Sequence, residues 1–220
     1  MYKFGSNDEF FAQAGSALRT SDLESDSLRL FEEACVSFFN LDQESLAVVR
    51  NQLEDYLTNS EVKPTTTVAR LFGRVSTKQK ASKFLQQALD QIFLLTTQAQ
   101  EILHRGETSW VCTVEPLYAE AHATLASAVG HLKLCSELNI RSKENQGMMQ
   151  ADVDSSRQRF HQLTVWHRHL SVSLSEELAV LNKASVEFHA VSDLAVITDS
   201  LLEIGRLGLE ISECFLEKSY

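Results

Sequence analysis

The chain has 220 residues, with 8 Gly, 2 Pro, 44% hydrophobic and 23% charged side chains and a formal net charge of −10. Average proteins carry roughly 7% Gly and about 5% Pro, so a sheet-rich fold with many tight turns lacks the residues its turns need. Collagen-like, low-complexity and disulfide-scaffold classes are excluded by the same composition, which leaves an all-α protein built from long helices.

In chain order, residues 1–21 form a leader in which Phe4, Phe10, Phe11, Ala14, Ala17 and Leu18 can share one helical face, or which frays. Ser21 and Asp22 are N-cap residues ahead of a helical pattern marked by Leu28, Phe31, Cys35 and Phe38, then by Leu46, Val49, Leu53 and Tyr56. Asn40-Leu41-Asp42 is a point of interruption, and Pro64 forbids simple continuation because it lacks an amide donor.

The second element is expected from about Thr66 to about Glu144. Its apolar sets Val68, Phe72, Val75 and Leu85, Ile92, Leu95 point in different directions on a straight helix, which places a bend near 73–76. Arg105-Gly106-Glu107-Thr108 signals a second interruption, and Pro116 just beyond it predicts a kink or a restart. Residues 143–147, with Gly147, read as the clearest hairpin. A third pattern then runs unbroken from Met148 to Glu217 in threes and fours; a straight helix of that length would span roughly 100 Å. Such an element must curve, kink or belong to an extended coiled-coil-like bundle.

No catalytic, metal or cofactor motif is present: the sequence lacks a P-loop, GxGxxG, GxSxG and HExxH, and its four cysteines lie far apart. His167 and His169 are about 200° apart on a helix and cannot easily chelate one metal. The charge is segregated. Val62 to Leu89 holds no acid but six basic residues, among them Arg70, Arg74, Lys78, Lys80 and Lys83; Ser155 to Ser175 holds no acid beside Arg157, Arg159 and Arg168. Arg157, His161 and Arg168 fall close together on a wheel, away from the apolar stripe Phe160, Leu163, Trp166, Leu170. The acidic balance argues against nucleic acid, but the pattern admits an anionic partner on one face. No run of about 18 apolar residues occurs, and the start lacks a signal-peptide pattern, so a cytoplasmic protein is expected.

Thr113-Val114-Glu115-Pro116-Leu117 resembles the apolar-x-Pro-Leu kink in helix 2 of many BAR domains, and Ser185-Val186-Glu187-Phe188-His189-Ala190 resembles the acidic-aromatic-His step near the end of their helix 3. The resemblance covers residues 22 to about 218, after the leader. It implies three long kinked antiparallel helices that pair into a crescent-shaped homodimer, peripheral on anionic phospholipid membranes, which binds, senses or shapes their curvature. It would place Arg141 and Lys143 at the arm tip, Arg157, His161 and Arg168 along the arm, and Arg70, Arg74 and Lys78 nearer the middle, with Lys80 and Lys83 adding charge. Phe10 and Phe11 would insert if the leader folds on the bilayer. An adaptor protein or small GTPase is the partner class that goes with this reading. The alternative is a cytosolic helical adaptor or coiled-coil scaffold that binds protein partners and never touches lipid.

Overall fold

The computed structural model of the protein describes residues 26–59, 77–137 and 143–216. Among them every regular element is helical and no strand occurs. Six helices follow one another: α1 over residues 26–39, α2 Gln43–Asn59, α3 Thr77–Arg105, α4 Glu115–Glu137, α5 Lys143–Val180 and α6 Val186–Leu216, with a 3-10 turn at Val111–Val114 leading into α4.

The interruptions expected at 40–42 and 105–108 are reversals, and the bend expected near 73–76 lies outside the described residues. At 40–42 the chain closes α1 with Leu41 at φ 58°. The Asp42 amide donates to Ser37 O at 2.8 Å and the Leu41 amide to Phe38 O at 3.1 Å, which is the paired bonding of a Schellman cap. Asp42 then caps α2, accepting from the Ser45 amide and hydroxyl at 3.0 and 2.6 Å. The turn folds α2 back along α1, so that the Tyr56 hydroxyl donates to the Asp26 carboxylate, thirty residues upstream.

Gly106 ends α3 in the same left-handed conformation, at φ 73°. The 3-10 turn follows, and Pro116 lies in the first turn of α4, where a missing amide costs no helical hydrogen bond. Pro116 therefore marks a restart. At 181–185 the Asn182 side chain accepts from the Ala184 amide at 3.1 Å, and Ser185 Oγ accepts from the Phe188 amide at 3.1 Å as the N-cap of α6.

Cross-helix contacts fix the directions. Glu120 meets Arg159, Ser127 meets Ser156 and His131 meets Asp152, so α5 runs antiparallel to α4. Arg157 meets Glu213 and His167 meets Asp199, so α6 runs antiparallel to α5. The third pattern is therefore two helices laid side by side, the longer of 38 residues, or roughly 57 Å. The element expected as one run from Met148 to Glu217 is therefore divided at 181–185. The Ser185–Ala190 motif starts a helix, and the Thr113–Leu117 motif starts another. Residues 143–147, expected as a hairpin, are the first turns of α5.

Helix α6 is the centre, packing on α3, α4 and α5. Its buried residues come in adjacent pairs, Ile197/Thr198, Ser200/Leu201, Ile204/Gly205, Leu207/Gly208 and Ile211/Ser212, which is a buried arc much wider than one stripe. Arg105 near the end of α3 pairs with Asp193 near the start of α6, as antiparallel packing requires. Helix α2 lies against α3, with Arg50 donating to Gln100 at 3.2 Å. Helix α1 meets α4 through aromatic rings: Phe31 sits edge-on to Tyr118 at 5.5 Å between centroids, and Phe39 to the same ring at 5.6 Å.

The tightest approach is between α4 and α6. A Cβ on Gly208 would stand 3.0 Å from Leu125 N and from Thr124 C, which are backbone atoms that cannot swing aside. Gly208→Ala should lower stability in chemical denaturation, even though alanine favours a helix interior by about 1 kcal/mol over glycine. Gly130→Ala, on α4 with nothing within 4 Å of the new methyl group, should raise it by up to that amount. Equal effects of the two substitutions would contradict the close crossing.

Candidate functional site

The expected basic surface divides three ways. Phe10, Phe11, Arg70, Arg74 and Arg141 lie outside the described residues. Lys78 and Lys143 stand in the first turns of α3 and α5, and Lys80 and Lys83 follow on the exposed side of α3. Arg157, His161 and Arg168 are exposed together on α5.

Neighbouring helices neutralise much of that charge. Arg157 donates to Glu213 of α6 and to Asp154 one turn back, both at 2.8 Å, and these carboxylates raise its pKa, Glu213 foremost. Arg159 pairs with Glu120 of α4 at 3.5 Å, and His167 Nε2 lies 2.7 Å from Asp199 of α6. The acid-free stretch of α5 is thus bonded along both flanks to acids from elsewhere in the chain. Its outermost ridge keeps His161, Arg168 and His169 exposed.

The same ridge is unexpectedly apolar. Trp166, expected in the bundle stripe, is 43% exposed on one flank of the ridge, and Val165 and Val172 on its crest are 37% and 53% exposed. The core positions of α5 run Val153, Ser156, Phe160, Leu163, His167, Leu170, Leu174, in alternating threes and fours. After Leu163 the next inward position is therefore 167 rather than 166. His167 takes it, with its ring nitrogen on Asp199, and Trp166 is turned outward. Hydrophobicity alone favours the tryptophan, but the register set by Leu163, Leu170 and Leu174 selects 167, where the imidazole meets a carboxylate of α6.

A second surface feature had no signal in the sequence. The α1–α2 hairpin encloses a groove of about 640 Å³ on its outer side. Val49 is buried at its floor, while Val36 and Val48 are 46% and 56% exposed on its walls. Glu32, Glu33 and Glu44 stand on its rim. Arg29 also lines it, and its guanidinium is held by Glu33 at 2.9 Å and by Asp26 at 3.4 Å. Val36 and Val48 lie on the polar side of α1 and α2, and they become neighbours only because the turn at 40–42 reverses the chain.

Among the described residues no three His, Cys, Asp or Glu side chains gather as a metal site, and no described helix is long and apolar enough to cross a membrane. Cys35 is buried, which pushes its thiol pKa up and away from the reactive thiolate. Burial first, then the charges of Cys35 and Glu32, push the Tyr118 phenol up to about 12. Comparison with protein-family models, with curated proteins and with solved structures gave no match.

One histidine is a structural liability. His131 of α4 is buried, and neither ring nitrogen has a hydrogen-bond partner; Asp152 of α5 comes to 3.6 Å, too far for a hydrogen bond. Burial outweighs the pull of Asp152 and holds the imidazole below its ordinary pKa of 6.5. On acidification the unfolded chain takes up this proton before the folded chain does. The stability of the neutral ring is therefore fully present above the unfolded pKa and is lost as pH falls below about 6.5. The urea midpoint of the protein should drop between pH 7 and pH 5, and more steeply than that of His131→Leu. Parallel slopes would show that His131 titrates normally.

Proposed function

We propose that the chain is a non-enzymatic helical scaffold that docks protein partners on the outward ridge of α5. The observation that carries this reading is the exposed apolar surface of Val165, Val172 and Trp166, with Trp166 along one flank of the ridge, Arg168 and His161 along the other, and no acid from Ser155 to Ser175. Exposed aromatic side chains flanked by arginine are the anchors that dominate protein interfaces, where they contribute about 2 kcal/mol or more each. A ridge on a helix packed against two neighbours is also preorganised, so little ordering free energy is lost on binding. Its charge favours partners that present acidic side chains around an apolar patch.

A second reading uses the same ridge against an anionic bilayer, as the BAR resemblance implies. Each Lys or Arg near such a surface contributes about 1 kcal/mol. With Arg157 and Arg159 bonded to carboxylates, Arg168 is the arginine of this ridge with no carboxylate within ion-pair distance among the described residues. That supports a weak, assisted association in preference to curvature generation, and protein docking is the better use of an exposed tryptophan in so acidic a chain.

The two readings separate by experiment. Trp166→Ser combined with Val172→Ser should remove a defined set of proteins captured from cells by the wild-type chain, while Val186→Ser, which changes another exposed valine, should keep them. Liposome co-sedimentation with anionic vesicles at low salt should be weak and equal for wild type and the double variant. An unchanged capture profile would overturn the docking reading, and strong pelleting abolished by Arg168→Glu would establish the membrane reading in its place.

A further inference from the structure

We propose that copies of this chain associate head to tail, the outward ridge of α5 in one copy seating in the α1–α2 groove of the next. The inference deepens the scaffold reading by naming one partner of the ridge as a second copy of the chain. It stands on two complementary surfaces found on the same molecule. The groove offers an apolar floor and walls, Val49, Val36 and Val48, under a rim of Glu32 and Glu44, with Glu33 tied to Arg29 at its edge. The ridge offers Val165 and Val172 on its crest, Trp166 along one flank, and Arg168 and His161 along the other. Crest and groove match in polarity, and rim and basic flank are opposite in charge.

The two surfaces cannot satisfy each other within one copy. Helix α5 is fixed against α4 and α6 by core packing and by the Arg157–Glu213 and His167–Asp199 contacts, and its ridge points away from both. The groove faces outward from the α1–α2 hairpin, whose inner side is held to α4 by Phe31 and Phe39 on Tyr118. The contact is therefore between copies and heterologous, using different patches on the two sides. Each association leaves one groove and one ridge free, so the assembly grows with concentration unless its rotation closes a ring. Because the flanking charges are solvent-exposed, salt should weaken it.

Light scattering and sedimentation over a concentration series test this with the whole chain. Wild type should gain mass steadily from micromolar to submillimolar concentration, and less so at high salt. Trp166→Glu destroys the ridge and leaves the groove; Val48→Arg destroys the groove and leaves the ridge. Both positions are exposed, and circular dichroism should show each variant folded. Each alone should have the mass of one chain at every concentration, yet an equimolar mixture should form a one-to-one heterodimer that grows no further. A wild type of constant single-chain mass, a mixture that stays monomeric, or an assembly that survives Trp166→Glu would each overturn the proposal. If self-association fails while partner capture remains sensitive to Trp166, this inference falls and the scaffold reading stands.

Discussion

The fold depends on helix α6 being apolar over too wide an arc to be covered by one neighbour. Its adjacent buried pairs, from Ile197/Thr198 to Ile211/Ser212, must be removed from water on several sides, and α3, α4 and α5 supply those sides. Each leucine or isoleucine so buried contributes about 1.5 to 3 kcal/mol. A straight arm could not use that contribution, because its two halves would never meet. Folding α5 back on α6 lets Leu163 cover Gly205, and the small residues Gly205 and Gly208 let α4 close on the other side. The reversals at 40–42, 106–114 and 181–185 follow from this requirement as much as from the local turn chemistry.

That distinction also marks how far the sequence was legible. Helical periodicity and the scarcity of Gly and Pro identify an all-helical chain, and the interruptions at Asn40-Leu41-Asp42, Gly106 and Pro116 fall where the structure breaks. What local residues do not encode is the angle of a break. A left-handed residue such as Leu41 permits a reversal as readily as it ends a helix, and the choice is made by contacts thirty or more residues apart, such as Tyr56 with Asp26 or Arg157 with Glu213. The break at 181–185 gave the weakest signal, because a run of threes and fours continues across it and only the Asn182 turn and the Ser185 cap divide it. The two short motifs that resemble BAR helices belong to helix starts.

The same separation of local from distant information governs the surface. The acid-free stretch of α5 was visible in the sequence, and so were Arg157, His161 and Arg168 on one side of the helix. That Arg157 and Arg159 would be neutralised by Glu213 and Glu120 was not, since those acids come from other helices. Nor was the outward turn of Trp166, which follows from the register of Leu163, Leu170 and Leu174 against the neighbouring helices. The count of basic residues in this stretch thus overstated how much of the cationic face is open to a partner, and hydrophobicity understated how apolar that face is. A docking ridge with one dominant anchor fits both corrections better than a broad electrostatic surface does.

The direction of the break at 181–185 is the point on which the whole account turns, and a distance across it is the most direct test. Nitroxide labels on Thr164→Cys of α5 and Asp199→Cys of α6, in a chain whose native cysteines are replaced by alanine, can be measured by pulsed dipolar spectroscopy. Two packed helices have axes about 8 to 10 Å apart, so the labels should lie within about 20 Å of each other. A continuous third helix would hold them roughly 50 Å apart. The short distance is expected in dilute monomer and at every concentration; a distribution centred near the long distance would contradict the hairpin and with it the six-helix bundle.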